Sequence, residues 1–456
     1  MRDSTTTPCV LFPELFDRPL TATFDVPNAS SDGGAVLLKA ADRRLSLIRG
    51  LAAALDDARQ AGKVHHGLED LLGRRIYGLA LGYEDANDAA RLADDPMHKL
   101  LLGRDPMGGD ALASQPTLSR FENGVSRGEL LRMSEAFFEA VITRHRQRRR
   151  KVRRITVDLD VTDDPTHGVQ QLSFFNGFYH SWCYLPLLAF LTFDRESEQY
   201  LCAAALRPGN APTQRGALPM LKRILQRLQE LFPKARILVR LDGGFAEPEL
   251  FTFLDEVGAD YVVGLAKNEV LERCAALDMI SVRERSLASG HTEHLYTELT
   301  YGAGSWDRER RVILKAEVVQ LAGREMRDNP RFVVTNLAGS PSRIYRRIYC
   351  QRGEIENRIK ELFEVALDRT SCSRFWANQL RVLLAAAAYA LLQELRLAAR
   401  GTAWARAQVT TLRLELLKIG AQLVASVRRL VLRLPAAFPF RDGWSRIALQ
   451  GGATPG

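Results

Sequence analysis

Residues 155–168 read ITVDLDVTDDPTHG. The first seven of these residues are rich in β-branched side chains and predict a β-strand. Because strand side chains alternate between faces, Asp158 and Asp160 point to the same side, together with Thr156 and Thr162. Like charges side by side are costly unless a positive group lies between or beside them. The pattern therefore predicts a cation next to this strand.

The segments that follow predict a mixed sheet with helices on its faces. Three apolar strands with short connections predict an antiparallel meander, and the later alternation of helix and strand predicts parallel pairing. This order predicts an α/β fold with an RNase H-like mixed sheet. The predicted strands are residues 153–164, 184–193 and 200–208, then 236–245 and 261–266, with a helix over 216–233.

Composition favours an anionic partner and a reducing compartment. Lys and Arg number 63 against 54 Asp and Glu, and the net charge of +9 makes nucleic acid a plausible ligand. The six cysteines are scattered without a CxxC pair, which argues against a disulfide framework or a zinc ribbon. The N-terminus lacks the layout of a signal peptide, and the longest apolar run, 382–392, is too short to span a bilayer. These features predict a soluble cytoplasmic protein with no membrane partner.

A strongly basic run, RHRQRRRKVRR, occupies residues 144–154. Eight of its eleven residues are Arg or Lys, including Arg148, Arg149 and Arg150. A solvated helix end explains such a run, and so does a stripe that faces phosphates. The neighbouring acidic strand favours the phosphate-facing stripe.

A second DNA-binding candidate is LASQPTLSRFENG, residues 112–124, which is typical of a helix-turn-helix recognition segment. Ser114 is a favourable N-cap for its helix. A capped helix on the face of an α-bundle explains the same pattern. In the first interpretation, the side chains that reach base edges or phosphates are Gln115, Thr117, Ser119 and Arg120.

Three acidic residues lie where the predicted fold would bring them together. Asp160 is on the first strand, Asp242 follows the apolar run ILVRL at a strand end, and Glu356 is on a late helix. A carboxylate flanked by cations one helical turn away suits a site that binds both metal and phosphate. The residues that share one stripe of that helix are Tyr349, Arg352, Glu356 and Lys360.

These motifs resemble the DDE transposases of bacterial insertion sequences, in the subgroup with a Tyr-Arg-Glu-Lys signature and a β-strand insertion. The motifs are DVT at 160–162, RLDGGF at 240–245 and YCQRGEIENRIK at 349–360. Their spacing leaves room for the insertion before the glutamate. The signature lysine usually follows the glutamate by seven residues, where this chain has Phe363. Either Lys360, four residues after the glutamate, serves instead, or the lysine does less here than in relatives.

The resemblance implies two-metal phosphoryl transfer on DNA. Asp160, Asp242 and Glu356 would hold two Mg²⁺ ions, for which Mn²⁺ can substitute, and Arg352 and Lys360 would contact phosphates. A freed 3′-OH would form a hairpin on the opposite strand, and the reopened ends would join target DNA. The implied partners are terminal inverted repeats, target DNA and a second copy in a synaptic homodimer. The implied location is the bacterial cytoplasm, at the nucleoid when the protein is bound to DNA.

The helical and strand patterns along the chain, together with the resemblance, divide it into five regions. A helical, DNA-binding N-terminal region precedes an RNase H-like catalytic core, which is split by a β-rich insertion and followed by a helical C-terminal region. The catalytic helix belongs to the second part of the core. In order, the regions are residues 1–150, 151–269, 270–330, 331–372 and 373–456.

Several positions keep two interpretations. Asp158 competes with Asp160 as the first metal ligand, and the Asp-x-Thr pattern favours Asp160. Trp306 either stacks on a flipped base, as the resemblance implies, or packs in a small β-domain. Lys267 either contacts the DNA backbone or belongs to a capped turn. The aromatic run at 175–187 is interpreted as packing of the second strand.

Two other functions stay open beside an active transposase. One is a catalytically idle, transposase-derived DNA-binding protein, although the intact acids argue against a retired site. The other is a different RNase H-like nuclease, which the long insertion and the cation-flanked glutamate disfavour.

Overall fold

The computed structural model describes residues 9–149 and 151–455. Helices dominate before residue 149 and after residue 340, and strands dominate between them. The helices are α1 (Val36–Leu45), α2 (Leu47–Ala53), α3 (Leu68–Leu81), α4 (Ala86–Arg91), α5 (Pro96–Leu101), α6 (Gln115–Gly124), α7 (Arg127–Arg148), α8 (Ala217–Leu231), α9 (Pro248–Glu256), α10 (Glu269–Ser289), α11 (Pro341–Ile344), α12 (Glu354–Phe363), α13 (Phe375–Ala398), α14 (Val409–Leu412) and α15 (Arg441–Gln450). The strands are β1 (Cys9–Leu11), β2 (Leu20–Ala22), β3 (Ala29–Ser30), β4 (Arg154–Val161), β5 (Asp164–Pro165), β6 (Phe174–Asn176), β7 (Ser181–Tyr184), β8 (Leu187–Phe193), β9 (Tyr200–Ala205), β10 (Arg236–Leu241), β11 (Asp260–Leu265), β12 (Glu293–Tyr301), β13 (Arg310–Val319), β14 (Arg327–Asp328), β15 (Arg331–Thr335), β16 (Ala421–Ser426) and β17 (Arg429–Arg433).

A large mixed sheet forms the centre of the protein. Its strand order is β12-β13-β15-β11-β10-β4-β8-β9, with β14 paired to β13. Strands β4, β8 and β9 form the antiparallel meander, while β10 pairs in parallel with both β4 and β11. The predicted RNase H-like α/β architecture is confirmed. Because β4 and β10 are parallel neighbours, their carboxyl ends meet at one edge of the sheet.

The predicted β-rich insertion at 270–330 needs correction. Its first third is the long helix α10, and β12 and β13 extend the central sheet through β15. Helix α10 buries one apolar row against the sheet and exposes another, so its apolar residues do not follow a single helical stripe. This blurred periodicity explains why the sequence indicated strands there. The exposed row is Val270, Leu277, Ile280 and Leu287.

The predicted helical C-terminal region also contains a β-hairpin, formed by β16 and β17. Strand β3 pairs with β16, so residues near both ends of the chain share one sheet. Helix α13 packs on β9 and on α1, α3 and α7. The described residues of the regions 1–150 and 373–456 therefore contribute to one hydrophobic core with the central sheet.

Helix α13 is the central helix of this core. By length and composition it could cross a membrane, but 89% of its most apolar window is buried inside the protein. Its side chains are buried all round, as expected for a helix enclosed by other elements.

A buried ion pair locks the two strands that lead to the acidic edge. Asp158 on β4 is opposite Arg240 on β10, and its two oxygens accept hydrogen bonds of 2.7 Å each from Nε and Nη2 of the arginine. Gln199 donates a third hydrogen bond of 3.0 Å to Asp158. Arg240 Nη1 also donates to the carbonyl of Ile348, at 3.0 Å. The positive group predicted beside the acidic strand is, at Asp158, an arginine.

We expect Arg240→Ala to lower the free energy of unfolding by about 3–5 kcal/mol, because it leaves the buried Asp158 carboxylate without its counter-charge. Urea denaturation measures this loss. Arg236→Ala is the matched control on the same strand: Arg236 is 75% exposed and pairs with Asp260 at 2.9 Å. The control should lose less than about 1 kcal/mol. Equal losses for both variants would contradict the role of the buried pair.

Candidate active site

Two of the predicted acids meet at the carboxyl edge of the central sheet. Asp160 lies two residues after Asp158, near the end of β4, and Asp242 directly follows β10. The Asp242 carboxylate accepts a hydrogen bond of 2.9 Å from the backbone of Gly244 and so caps a 3₁₀ turn. Strand β11 passes close behind this turn at Gly264, where a side chain would collide with the Gly243 backbone. The absence of a Cβ at Gly264 therefore helps to place Asp242.

Arg352 joins the two acids. Its Nη1 lies 3.4 Å from Asp160 Oδ2, and its Nη2 lies 3.0 Å from Asp242 Oδ2. The arginine side chain is only 14% exposed. Arg352 was predicted to contact phosphate, but in this structure its guanidinium is the counter-charge of both carboxylates.

Glu356 and Lys360 lie on α12, and both are exposed. Helix α12 is fixed from its other side, where Glu361 is buried against α13 and accepts hydrogen bonds from Tyr389 at 2.6 Å and Arg396 at 2.9 Å. Within residues 9–149 and 151–455, no group of three His, Cys, Asp or Glu side chains is close enough to hold a metal ion. The structure thus brings Asp160 and Asp242 together and places Glu356 near them without closing a three-carboxylate cluster.

The pKa of Asp160 responds to its burial and to the charges around it. Burial raises the pKa of Asp160 to about 6, although the Arg352 charge opposes the shift. The charges of Asp242 and Glu356 act in the same direction as burial. The Asp242 and Glu356 charges therefore act on Asp160 at a point where Arg352 is the neighbouring cation that favours the charged form of Asp160.

Asp158 is excluded as an open ligand by its surroundings. Its side chain is fully buried, and its oxygens are occupied by Arg240 and Gln199. Asp158 was predicted to compete with Asp160 as a metal ligand, and the structure corrects that prediction. Asp160, on the same face but closer to the sheet edge, is the strand carboxylate that reaches Arg352.

Tyr349 borders the acid pair. It ends a π turn, Tyr345–Tyr349, and its hydroxyl lies against Gly264. Burial raises the pKa of Tyr349, and the Asp242 charge raises it further while Arg352 lowers it.

Two other predicted contacts, Trp306 and Lys267, lie in different surroundings: Trp306 packs against other rings, and Lys267 lies at the surface. Trp306 is half-buried between Phe251 and Tyr301, with ring centroids 5.2 and 5.4 Å away. Lys267 is exposed and pairs with Glu272 at 3.0 Å.

The basic run is corrected at two positions. Arg148 pairs with Glu196 at 2.9 Å, and Arg149 contacts the same carboxylate and Asp194. Their side chains are 14% and 13% exposed and lie over Tyr200 and Phe193. These arginines fasten α7 to the β8–β9 turn, whose acids the sequence did not link to the run. Arg150 lies outside the described residues.

The candidate recognition helix forms as α6. Glu122 anchors it through ion pairs with Arg75 at 2.7 Å and Arg381 at 2.9 Å. Ser114 takes the N-cap position, but its hydroxyl bonds the Thr117 hydroxyl at 3.1 Å instead of a backbone amide. Thr117 and Arg120 line a cleft of about 850 Å³, Arg120 is exposed, and Gln115 and Ser119 are half-exposed.

Tyr179 is a residue near the acids that the sequence interpretation missed. Burial raises its pKa to about 12, and the charges of Asp163, Asp160 and Asp242 add to the effect. It belongs to the aromatic run at 175–187, which was predicted to pack the second strand. That strand begins only at Leu187, and the run instead supplies most of β6 and all of β7, which form a separate small sheet with β5. The high share of aromatic residues in this run was the sequence feature that could have indicated a functional surface.

The raised pKa of Asp160 makes a prediction for the metal-free protein. The folded state binds the proton more tightly than the unfolded chain, so the Asp160 carboxyl costs stability as pH rises from about 4 through about 6. Asp160→Asn removes this cost. Its free energy of unfolding relative to wild type should rise by up to about 3 kcal/mol between pH 4 and pH 7. Urea denaturation at each pH tests this.

Glu354→Gln, which alters an exposed carboxylate on α12, is the control and should follow the wild-type pH profile. A flat difference between Asp160→Asn and wild type would show that Asp160 is not held in the buried, acid-rich position described above.

Comparisons with known proteins identify the family of this chain. A family model described as transposase DDE domain group 1 matches residues 12–450. No curated protein sequence matches the chain. Among solved structures, the chain is similar to piggyBac transposase in a synaptic complex with hairpin DNA, with 11% identity, a TM-score of 0.38 and coverage of 80% of this chain and 74% of that one. The family model spans nearly the whole chain, and the protein therefore belongs to the transposase DDE domain group 1 family.

Proposed function

We propose that this transposase cuts the ends of a mobile DNA element by two-metal phosphoryl transfer and joins them to target DNA. The observation that carries the proposal is the meeting of Asp160 and Asp242 at the ends of parallel strands, with Glu356 close enough to raise the pKa of Asp160. We assign these three carboxylates as the metal ligands. The proposal includes hairpin ends and membership of the bacterial Tyr-Arg-Glu-Lys subgroup, which its sequence motifs support.

The residues present fit a pair of hard divalent cations. The donors are carboxylate oxygens, which Mg²⁺ prefers, and Mn²⁺ accepts the same set. Burial and the neighbouring acids raise the pKa of Asp160, so positive charge placed beside its carboxylate is favourable. When bound, the ions supply Lewis acidity that activates water or a 3′-OH and stabilises the leaving oxygen.

The protein groups around the acids position the DNA backbone. Arg352 already lies between Asp160 and Asp242, so a metal bound there would compete with its guanidinium for the same oxygens. Once released from the acids, Arg352 can pair with a phosphate, for which its planar fork is well suited. Lys360, exposed one turn beyond Glu356, offers a second phosphate contact.

We propose that α6 reads the terminal inverted repeats. Its exposed Arg120 and the half-exposed Gln115, Thr117 and Ser119 present donors on one anchored helix, and the net charge of +9 favours DNA. Two ends must be held together for joining, so we also propose a homodimer in the synaptic complex. A cytoplasmic location, at the nucleoid when bound to DNA, belongs to the same proposal.

A second candidate function has one observation in its favour. Arg352 satisfies both Asp160 and Asp242, an arrangement that also suits a catalytically idle DNA-binding protein. Metal-dependent cutting distinguishes the two, because the idle protein would bind DNA without cleaving it.

We expect Asp242→Ala and Glu356→Ala each to reduce Mg²⁺-dependent strand cleavage by more than about 100-fold. Losing even an outer-shell partner of a metal costs roughly 10–100-fold, and these residues are assigned as ligands. DNA binding without metal should change little. Cleavage of a labelled duplex carrying the element's ends is the measurement.

Glu354→Ala is the matched control, because it removes an exposed carboxylate two residues from Glu356 on the same helix. Near wild-type cleavage by Asp242→Ala or Glu356→Ala would refute the assignment. A wild-type protein that binds the ends and never cuts them would favour the idle alternative.

The salt dependence of DNA binding tests which arginines face phosphate. Arg120→Ala should flatten the slope of log affinity against log salt by about 0.9, the value for one lost phosphate contact. The double variant Arg148→Ala/Arg149→Ala should leave the slope nearly unchanged and lower the melting temperature, because both residues are paired with Glu196. A flatter slope in the double variant, with an unchanged melting temperature, would instead show that Arg148 and Arg149 contact DNA phosphates.

A further inference from the structure

Beside the acid pair, a small sheet displays aromatic rings to solvent. Residues 165–184 contain β6, β7 and the second residue of β5, whose first residue is the buried Asp164, and we call residues 165–184 the aromatic hairpin. Its twenty residues include six aromatic side chains and no Asp, Glu, Lys or Arg, in a chain that is 26% charged. Such composition in an exposed segment indicates a surface built to contact something apolar and flat.

Four of the six rings are exposed to solvent, whereas Tyr184 is buried and Tyr179 is half-buried. Phe175, Phe178 and Trp182 are 54%, 83% and 60% exposed. Phe175 and Trp182 are directly opposite each other on β6 and β7, so they share a face, and their ring centroids are 6.4 Å apart. By contrast, Trp306, like the remaining tryptophans of the chain, is half-buried or buried.

The hairpin is held rigidly. Asn176 Nδ2 donates to the carbonyl of Gly209 at 2.9 Å, and Asn176 Oδ1 accepts from the backbone of Phe178 at 3.0 Å. The Tyr184 hydroxyl donates to the Gln171 carbonyl at 2.8 Å. The exposed rings therefore stand on a fixed backbone, which reduces the entropy cost of binding a ligand.

Two connections place the hairpin at the acidic edge. Its first strand, β5, begins four residues after Asp160. The loop that starts at Gly209 continues to Thr213. Thr213 packs closely on Gly244, in the turn after Asp242, and a Cβ on Gly244 would collide with the Thr213 side chain. The effect of Asp160 and Asp242 on Tyr179 agrees with this placement.

We propose that the aromatic hairpin is a stacking platform for unpaired nucleobases at the DNA end being processed. The inference rests on the proposed function, since it takes the acid pair as the cutting site. An aromatic face can stack on any nucleobase. A surface that binds an aliphatic protein partner has no need of several exposed rings, so the rings favour nucleobases as the ligand. A segment without charged side chains adds no carboxylate that would repel the phosphates of a strand entering the acidic edge. Bases that lose their pairing partners beside the cut would lie next to Phe175 and Trp182, which share one face of the aromatic hairpin.

The test compares two DNA probes in metal-free buffer, where no cutting occurs. One is a blunt duplex, and the other is the same duplex with a short single-stranded end that carries 2-aminopurine. Trp182→Ala should weaken binding of the single-stranded end roughly 5- to 150-fold, the range for one stacked base, and leave the blunt duplex unchanged. Wild type should quench 2-aminopurine fluorescence, and Trp182→Ala should quench it less.

Three further variants sharpen the result. Trp182→Tyr should keep the preference for the unpaired end, and Trp182→Leu should lose it, because stacking needs a ring. Phe24→Ala removes another exposed ring, which is 92% exposed and outside the hairpin, and should behave as wild type. Melting temperatures verify that each variant folds.

The proposal is overturned if Trp182→Leu binds as well as wild type, or if no hairpin variant affects the unpaired end. A change of oligomeric mass on sedimentation of Trp182→Ala would also overturn it, by assigning the rings to a contact between copies. Failure of the proposed function is a separate outcome, because it shows as absent cleavage by the wild type in Mg²⁺ and does not enter the metal-free binding assay.

Discussion

The buried ion pair between Asp158 and Arg240 sets the geometry on which the acidic edge depends. It fixes the register of β4 against β10, and the same arginine holds the carbonyl of Ile348. Asp160 lies two residues beyond Asp158, Asp242 two residues beyond Arg240, and Arg352 four residues beyond Ile348. One guanidinium thus positions the three chain segments that supply the site. Because breaking a buried pair leaves an uncompensated charge, the arrangement has little freedom to drift.

Electrostatics divide the acidic row of β4 into two parts. Asp158 is neutralised inside the protein and serves the fold, whereas Asp160 meets Arg352 at the sheet edge and keeps a raised pKa. The second carboxylate is thus left in a place where additional positive charge is favourable. A site of this kind can hold an arginine or divalent cations between its acids, and the proposed chemistry depends on exchange between them.

Much of the fold was predictable because buried strands leave strong signals. β4, β8, β9, β10 and β11 are short apolar runs between turns, and their order was sufficient to predict the mixed sheet. Helix α10 was hidden because it carries apolar residues on two faces, and β16 and β17 were hidden in a region rich in Arg and Leu. Local periodicity fails where exposed apolar residues break it.

The site was predictable only in part, because pairing partners are distant in sequence. The period-2 pattern placed Asp158 and Asp160 on one face, but nothing near them in sequence revealed that Arg240 neutralises the first. In the same way, the basic run did not reveal the acids at 194 and 196 that hold Arg148 and Arg149. Residue types predict which chemistry is available, and tertiary contacts decide which groups remain free to perform it.

The proposed chemistry requires the edge formed by Asp160 and Asp242 to bind divalent metal in place of Arg352. Anomalous diffraction from crystals of the protein soaked in Mn²⁺ locates such ions without any assumption about activity. We expect anomalous peaks beside the carboxylates of Asp160 and Asp242, with the Arg352 side chain moved away from them. If no peak is found there and Arg352 still bridges the two acids, these carboxylates do not form the metal site.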